Sequence, residues 1–60
     1  MLVPLDTLKI GEKFLNLQDD TVYKVVSTSI DGQILCSDDE GFGELFNENH
    51  VVRPIYHQIE

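Results

Sequence analysis

Few side chains in this chain could bind a metal ion through nitrogen or sulfur. The two histidines, His50 and His57, stand seven residues apart. Neither has a second His or Cys at the short spacing that zinc sites use. Glu48 and His50 would share one face of a strand, but two ligands are too few to hold a metal ion. We therefore expect both histidines to be structural, at the surface or half-buried.

Cys36 is the only cysteine and the best candidate nucleophile. A catalytic thiol needs a base beside it and a lowered pKa. Cys36 instead lies in a predicted strand, where a small buried residue fits, and nearby carboxylates would raise its pKa. Adjacent acids such as Asp38 and Asp39 point to opposite faces of a strand, so they do not form an acid–base pair. The sequence predicts a protein that is not an enzyme and has no cofactor.

A calcium loop is the remaining metal chemistry to consider, in the stretch SDDEGFGELFNEN, residues 37–49. An EF-hand loop has acids at positions 1, 3 and 5, glycine at 6 and glutamate at 12. With Gly41 at position 6, Cys36 falls at position 1. With Gly43 there, Phe42 falls at position 5. Neither frame supplies the ligands, so we predict no metal site.

The charge is unevenly distributed along the chain. The net charge is −7, from 11 acidic and 4 basic residues. Residues 31–48, which we term the acidic arc, hold six acids and neither Lys nor Arg. Nucleic-acid binding depends on Lys and Arg, so it is disfavoured. The acidity serves solubility, or it steers the protein toward a basic partner, and the sequence leaves both open.

Composition also bounds the location of the protein. We see no basic segment followed by an apolar run at the N-terminus, and no apolar run near the roughly 20 residues of a membrane helix. A single thiol cannot form an intrachain disulfide and fits a reducing compartment. We expect one domain, residues 1–60, that is cytoplasmic and has no membrane association.

The pattern of apolar and turn residues predicts five strands joined by tight turns. They are 12–17, 21–30, 33–38, 43–46 and 50–55. Pro54 favours an edge or a strand end, because proline cannot donate to the ladder. Five short strands in 60 residues favour a small closed antiparallel barrel, since closure limits exposed edges. The tail after Ile55 adds a little strand or frays.

The N-terminal segment PLDTLKIG predicts one short helical turn. Asp6 or Thr7 can cap it, and Gly11 can end it with a positive φ. A longer helix does not fit between Pro4 and Gly11. The apolar residues of this segment are expected to cover one end of the core. They are Leu5, Leu8 and Ile10.

Asp31-Gly32 is the strongest hairpin signal in the chain. A two-residue loop there would place Ser27 opposite Cys36. A three-residue loop would place Val26 opposite Cys36 and a lysine opposite an aspartate. Cross-strand energetics favour the apolar and oppositely charged pairs of the second register, which we prefer.

Three motifs in this order resemble the small SH3-like barrel proteins of phages, prophages and bacteria. They are LKIGEKF at 8–14, YKV at 23–25 and DG at 31–32, and the similarity extends over about residues 5–55. The resemblance implies an all-β, five-stranded antiparallel SH3-like barrel with a short N-terminal helical turn. Such barrels include protein-binding and nucleic-acid-binding members, so the fold does not fix the activity.

We therefore expect a small acidic accessory module of phage type. It would bind a host or phage protein with a basic surface, in the host cytoplasm. Phe42 stands between two glycines. It either folds back to plug a barrel end or serves as an exposed anchor inside an acidic rim. The candidate binding residues are Asp38, Asp39, Glu40, Phe42 and Glu44.

Three alternatives follow from the same features. The carboxylates could mimic nucleic-acid phosphates and inhibit a nuclease or a defence system. An SH3/KOW-like barrel could bind nucleic acid weakly through its few basic residues, which are Lys9, Lys13, Lys24 and Arg53. Copies of the chain could form a homo-oligomer edge to edge, for which the candidates are Val51, Val52 and Pro54.

Overall fold

The computed structural model describes residues 1–56, and this part of the chain is all-β. Within residues 1–56, six strands form one antiparallel sheet in the order β1-β6-β2-β3-β4-β5. A 3-10 turn, Leu5–Thr7, follows the first strand. The strands are β1 Val3–Pro4, β2 Lys13–Asn16, β3 Thr21–Val25, β4 Gln33–Asp38, β5 Gly43–Asn47 and β6 Val51–Ile55.

The sheet is not closed, so the predicted five-stranded barrel is wrong in both closure and strand number. Among residues 1–56, β5 ends the sheet and pairs only with β4, while the short β1 ends it on the other side. The N-terminal segment instead bonds to the turn between β5 and β6. There the Leu5 N–H donates to the His50 carbonyl at 2.8 Å, and the Asp6 N–H donates to the Glu48 carbonyl at 2.9 Å. Because these bonds lie beyond β5, they leave its outer edge without a partner strand among residues 1–56.

The core lies on one face of a strongly curved sheet. β2 and β5 are three strands apart, which is about 14 Å in a flat sheet. The rings of Phe14 on β2 and Phe46 on β5 nevertheless meet with centroids 5.8 Å apart. Curvature therefore brings distant strands together around one cluster. The buried apolar residues are Leu5, Phe14, Tyr23, Val25, Ile34, Cys36, Phe46 and Val52.

The N-terminal turn differs from its prediction in its caps. No side chain caps the N-terminus of the 3-10 turn, and the Thr7 hydroxyl donates back to the Pro4 carbonyl at 2.8 Å. The turn ends at Leu8, where the backbone becomes extended. Gly11 has the predicted positive φ of 95°, but in a later turn. Leu8 packs against the core as expected, whereas Ile10 is exposed.

The hairpin between β3 and β4 turns through two residues. Asp31 and Gly32 both have positive φ, 54° and 80°, as a type I′ turn requires. Ile30 lies opposite Gln33, as a two-residue loop demands. The favoured three-residue loop is therefore wrong.

Further from this turn, neither predicted register is correct, because Cys36 lies opposite Val25. The N–H groups of Val26 and Ser27 both donate to the carbonyl of Leu35, at 2.8 and 3.2 Å. This bulge accommodates extra residues and interrupts the predicted strand 21–30 after Val25. Val26 is exposed, whereas the favoured register would have placed it on the core face.

The last strand, β6, does not form an edge over its whole length. Val52 is fully buried and pairs with Val3, and Val51 pairs with Pro4. Pro54 pairs with Phe14 of β2, beyond the end of β1. Among residues 1–56, β1 therefore pairs with β6 at Val51 and Val52, and the edge-to-edge homo-oligomer stays a prediction.

Candidate functional site

The acidic arc forms one hairpin at the end of the sheet. Residues 31–48 comprise the turn at Asp31 and Gly32, β4, the loop 39–42, β5 and Glu48. Asp31, Asp39 and Glu40 are exposed in the turns at opposite ends of this hairpin. The fold therefore places the acids around the edge strand β5.

A single carboxylate holds the loop between β4 and β5. Asp38 Oδ1 accepts hydrogen bonds from the N–H groups of Glu40 and Phe42, each at 2.9 Å. The Asp38 N–H also donates to the Phe42 carbonyl at 3.0 Å. Gly41 provides the positive φ of 90° that the turn needs. Asp38 is thus engaged inside the loop, where it positions Phe42.

Phe42 is 68% exposed. Its ring therefore does not fold back to plug a barrel end, and it is exposed as the second alternative requires, while its role as a binding anchor stays a prediction. Asp39 and Glu40 are exposed beside it in the same loop. A ring held by a well-bonded loop loses little conformational freedom on contact with a partner.

The outward face of the hairpin carries two leucines that the sequence analysis did not select. Leu35 on β4 lies directly opposite Leu45 on β5, and Leu45 is 57% exposed. With Ile30 they line an open groove of about 350 Å³ beside Gln33. Their positions, alternating with the buried residues of each strand, are the signal that would have identified them.

Glu44 faces the opposite way, toward the core side of β5. It lies opposite Cys36, and its Oε1 is 3.4 Å from the Tyr23 hydroxyl. That hydroxyl donates a stronger hydrogen bond to Asp19 Oδ2 at 2.7 Å. This bond lowers the pKa of Asp19 and raises the pKa of Tyr23. Glu44 therefore belongs to a polar cluster at the rim of the core.

Cys36 is fully buried, as predicted. Burial, with a smaller contribution from the Glu44 charge, raises the pKa of its thiol to about 11. The thiol is therefore neutral at physiological pH, the opposite of what a nucleophile needs.

The free energy of unfolding is expected to fall as the pH rises above about 9. Folding raises the pKa of Cys36 from 9.0 to about 11 and raises that of Tyr23 from 10.0. The unfolded chain therefore releases both protons at a lower pH than the folded chain. The stability that these groups contribute is fully present below pH 9 and is lost as the pH rises to 11 and above. Urea titrations from pH 8 to 11 measure this slope. Cys36→Ala should make the slope shallower, and an unchanged slope would contradict the assignment to the thiol.

A second polar contact joins a buried side chain to a half-buried one. Asn16 is buried, and its Oδ1 lies 2.9 Å from His50 Nε2. The His50 ring stacks on Phe46 with centroids 5.3 Å apart. His50 is thus half-buried, as predicted, and contacts both Asn16 and Phe46, while His57 lies outside the described residues.

Residues 1–56 contain no grouping of three or more His, Cys, Asp or Glu side chains that could hold a metal ion. In the same part of the chain, no helix has the length and apolarity to cross a membrane.

Comparisons of the chain with protein families, with curated proteins and with solved structures found no match. The candidate residues therefore rest on geometry and charge, and the resemblance to SH3-like phage proteins stays a prediction.

Proposed function

We propose that this protein is a protein-binding accessory module that captures an extended basic segment along β5. The observation that carries the proposal is the open edge of β5, which pairs only with β4 among residues 1–56. An unpaired edge offers a row of N–H and C=O groups to an incoming strand. Peptide recognition by strand addition uses such an edge for affinity and neighbouring pockets for specificity.

The two ends of the sheet differ in how they resist pairing with other chains. Proteins protect their edges with short strands, proline, lysine or bulges. β1 has two residues and includes Pro4. β5 has five residues, Gly43–Asn47, with neither proline nor lysine among them. The contrast supports β5 as an edge that is kept available.

Side chains around β5 suggest the chemistry of the segment. Leu35 and Leu45 offer an apolar groove on one face of the edge. Phe42 is exposed at one end, beside Asp39 and Glu40. A segment that alternates basic with aliphatic residues would fill the groove and meet the carboxylates. The phage-type setting rests on the sequence resemblance, and a host or phage protein would supply such a segment.

Nucleic-acid mimicry gains less support from the same hairpin. A mimic needs carboxylates spaced along one surface like phosphates. Asp38 is occupied by the loop amides, and Glu44 lies near the Tyr23 hydroxyl. Asp31 lies at the opposite end of the hairpin from Asp39.

Leu45→Lys is expected to weaken binding of a short Lys/Val-alternating peptide by at least about tenfold. The lysine removes apolar contact and repels the basic segment. The peptide is titrated against the ¹⁵N-labelled protein, and amide shifts should be centred on 43–47. Val51→Lys, which changes an exposed aliphatic residue on β6, is the matched control and should bind normally.

The role of charge is tested by Asp39→Asn with Glu40→Gln. This variant should bind more weakly at low salt and lose most of its salt dependence. Equal affinity of Leu45→Lys and the unmodified protein, or shifts that avoid β5, would reject the edge as the binding site.

A further inference from the structure

Three of the four basic residues gather on the outward face of the middle strands. Lys13 on β2 lies directly opposite Lys24 on β3. Arg53 on β6 lies opposite Leu15, two residues along β2 from Lys13. All three basic side chains are exposed. A chain with a net charge of −7 therefore has a positive surface, which a count of charges along the sequence does not reveal.

The same face has no carboxylate among its strand residues. The outward-facing residues of the described strands β2 to β6 include no Asp or Glu. The only acids within these strands are Asp38 and Glu44, which pair with Tyr23 and Cys36 on the core side. All other acids of residues 1–56 lie in turns and connections. Opposite charges are thus separated between the sheet face and its ends.

The lysine pair is unfavourable in the isolated protein. Like charges directly opposite on neighbouring strands destabilise a sheet. The other cross-strand neighbours of these lysines are Ile55 for Lys13 and Ser37 for Lys24, both uncharged. The register predicted from sequence would have placed Asp38 opposite Lys24, but the bulge at Val26 prevents it. An incoming anion would relieve this repulsion.

Aliphatic side chains lie among the three charges. Leu15 and Val22 are half-buried and lie opposite each other, and Ile55 is exposed beside Lys13. We define the basic face as Lys13, Lys24 and Arg53 together with Leu15, Val22 and Ile55. The face therefore offers charge and apolar contact together.

We propose that the basic face binds an acidic, aliphatic-containing segment of a partner protein. Glutamate or aspartate side chains would meet Lys13, Lys24 and Arg53, and aliphatic side chains would cover Leu15 and Val22. The site is separate from the edge of β5, so either proposal stands without the other. Because β2 and β3 lie inside the sheet, recognition here depends on side chains rather than on strand addition.

Charge and composition favour a protein over a nucleic acid at this face. Single-stranded nucleic acids bind through aromatic platforms as well as cations. The basic face has aliphatic residues in those positions. A net charge of −7 also repels a long polyanion. Three basic residues would release few of the counterions bound to a nucleic acid, so the gain in affinity would be small. A short acidic segment meets the cations and avoids most of that repulsion.

The test is a titration of the ¹⁵N-labelled protein with three probes at low salt. They are a short peptide in which Glu alternates with Leu, a peptide of Glu and Gly of equal charge, and a short oligo-dT. The Glu/Leu peptide should bind most tightly and shift the amides of the basic face. Lys13→Glu with Lys24→Glu should weaken it by at least about tenfold, because charge pairs at an interface are strongly coupled.

Lys9→Glu is the matched control, since Lys9 lies in the turn before β2, and it should bind nearly as the unmodified protein does. If the double variant does not fold, Lys24→Gln replaces it in the test. This single variant also removes the lysine pair, and it should weaken binding of the Glu/Leu peptide several-fold. Tighter binding of oligo-dT, or equal binding of both peptides, would overturn the proposal. Self-association in light scattering that disappears in Lys24→Gln would overturn it in favour of a second copy.

Discussion

Phe14→Ala is expected to lower the free energy of unfolding by about 3–5 kcal/mol, enough to unfold much of so small a domain. The Phe14 side chain is fully buried. It stacks on Tyr23 at a centroid distance of 5.8 Å and meets Phe46 edge-on at 5.8 Å. Since Tyr23 and Phe46 also contact each other at 5.0 Å, the ring completes a triangle that joins three strands.

Phe42→Ala is the matched control for this substitution. It deletes the same ring from an exposed position, so the free energy of unfolding should change by less than about 0.5 kcal/mol. Both variants are measured by urea titration followed by circular dichroism. Similar losses in the two variants would show that Phe42 packs in the folded protein and would contradict its exposure.

Asn16→Leu is expected to cost about 1–3 kcal/mol, because it leaves Nε2 of the half-buried His50 without its hydrogen-bond partner. Asn16 is 3% exposed, and its Oδ1 makes the 2.9 Å contact with that nitrogen. Replacing both members by apolar residues removes the unpaired group. Asn16→Leu with His50→Phe should therefore be more stable than Asn16→Leu alone, since Phe can keep the stack on Phe46.

Asn49→Ala, at an exposed turn, is the control for loss of an asparagine and should be close to neutral. A double-mutant cycle on Asn16 and His50 gives their coupling energy. If the double variant loses as much stability as the sum of the single variants, the contact contributes nothing to stability.

The local features of the fold were largely predictable from sequence. β4 has the predicted bounds, Gln33–Asp38, and a hairpin turn lies at Asp31-Gly32 as predicted, although its loop has two residues rather than the preferred three. The other strands differ from their predictions at their ends, and β3 is cut short by the bulge after Val25. These features depend on neighbouring residues, which the sequence displays directly.

The features that were missed depend on contacts between distant residues. The predicted closure of the barrel was wrong because Leu5 and Asp6 hydrogen-bond to the turn after β5 rather than to β5 itself. The basic face was missed because Lys13, Lys24 and Arg53 are far apart in sequence and meet only through strand pairing. Phe42 could be selected from sequence because it stands between two glycines, whereas the proximity of Leu35 and Leu45 is evident only from the pairing of β4 with β5.

The buried thiol of Cys36 allows local opening of the sheet to be followed by chemical modification. The chain has one cysteine, which is fully buried on β4, and its pKa is about 11. A thiol reagent at neutral pH therefore reacts only with molecules in which β4 has opened. The rate of that reaction reports the opening of the sheet under native conditions, and no additional probe has to be introduced into the protein. A partner strand bound along β5 would slow the modification of Cys36, so the rate of this reaction would also report binding at the edge.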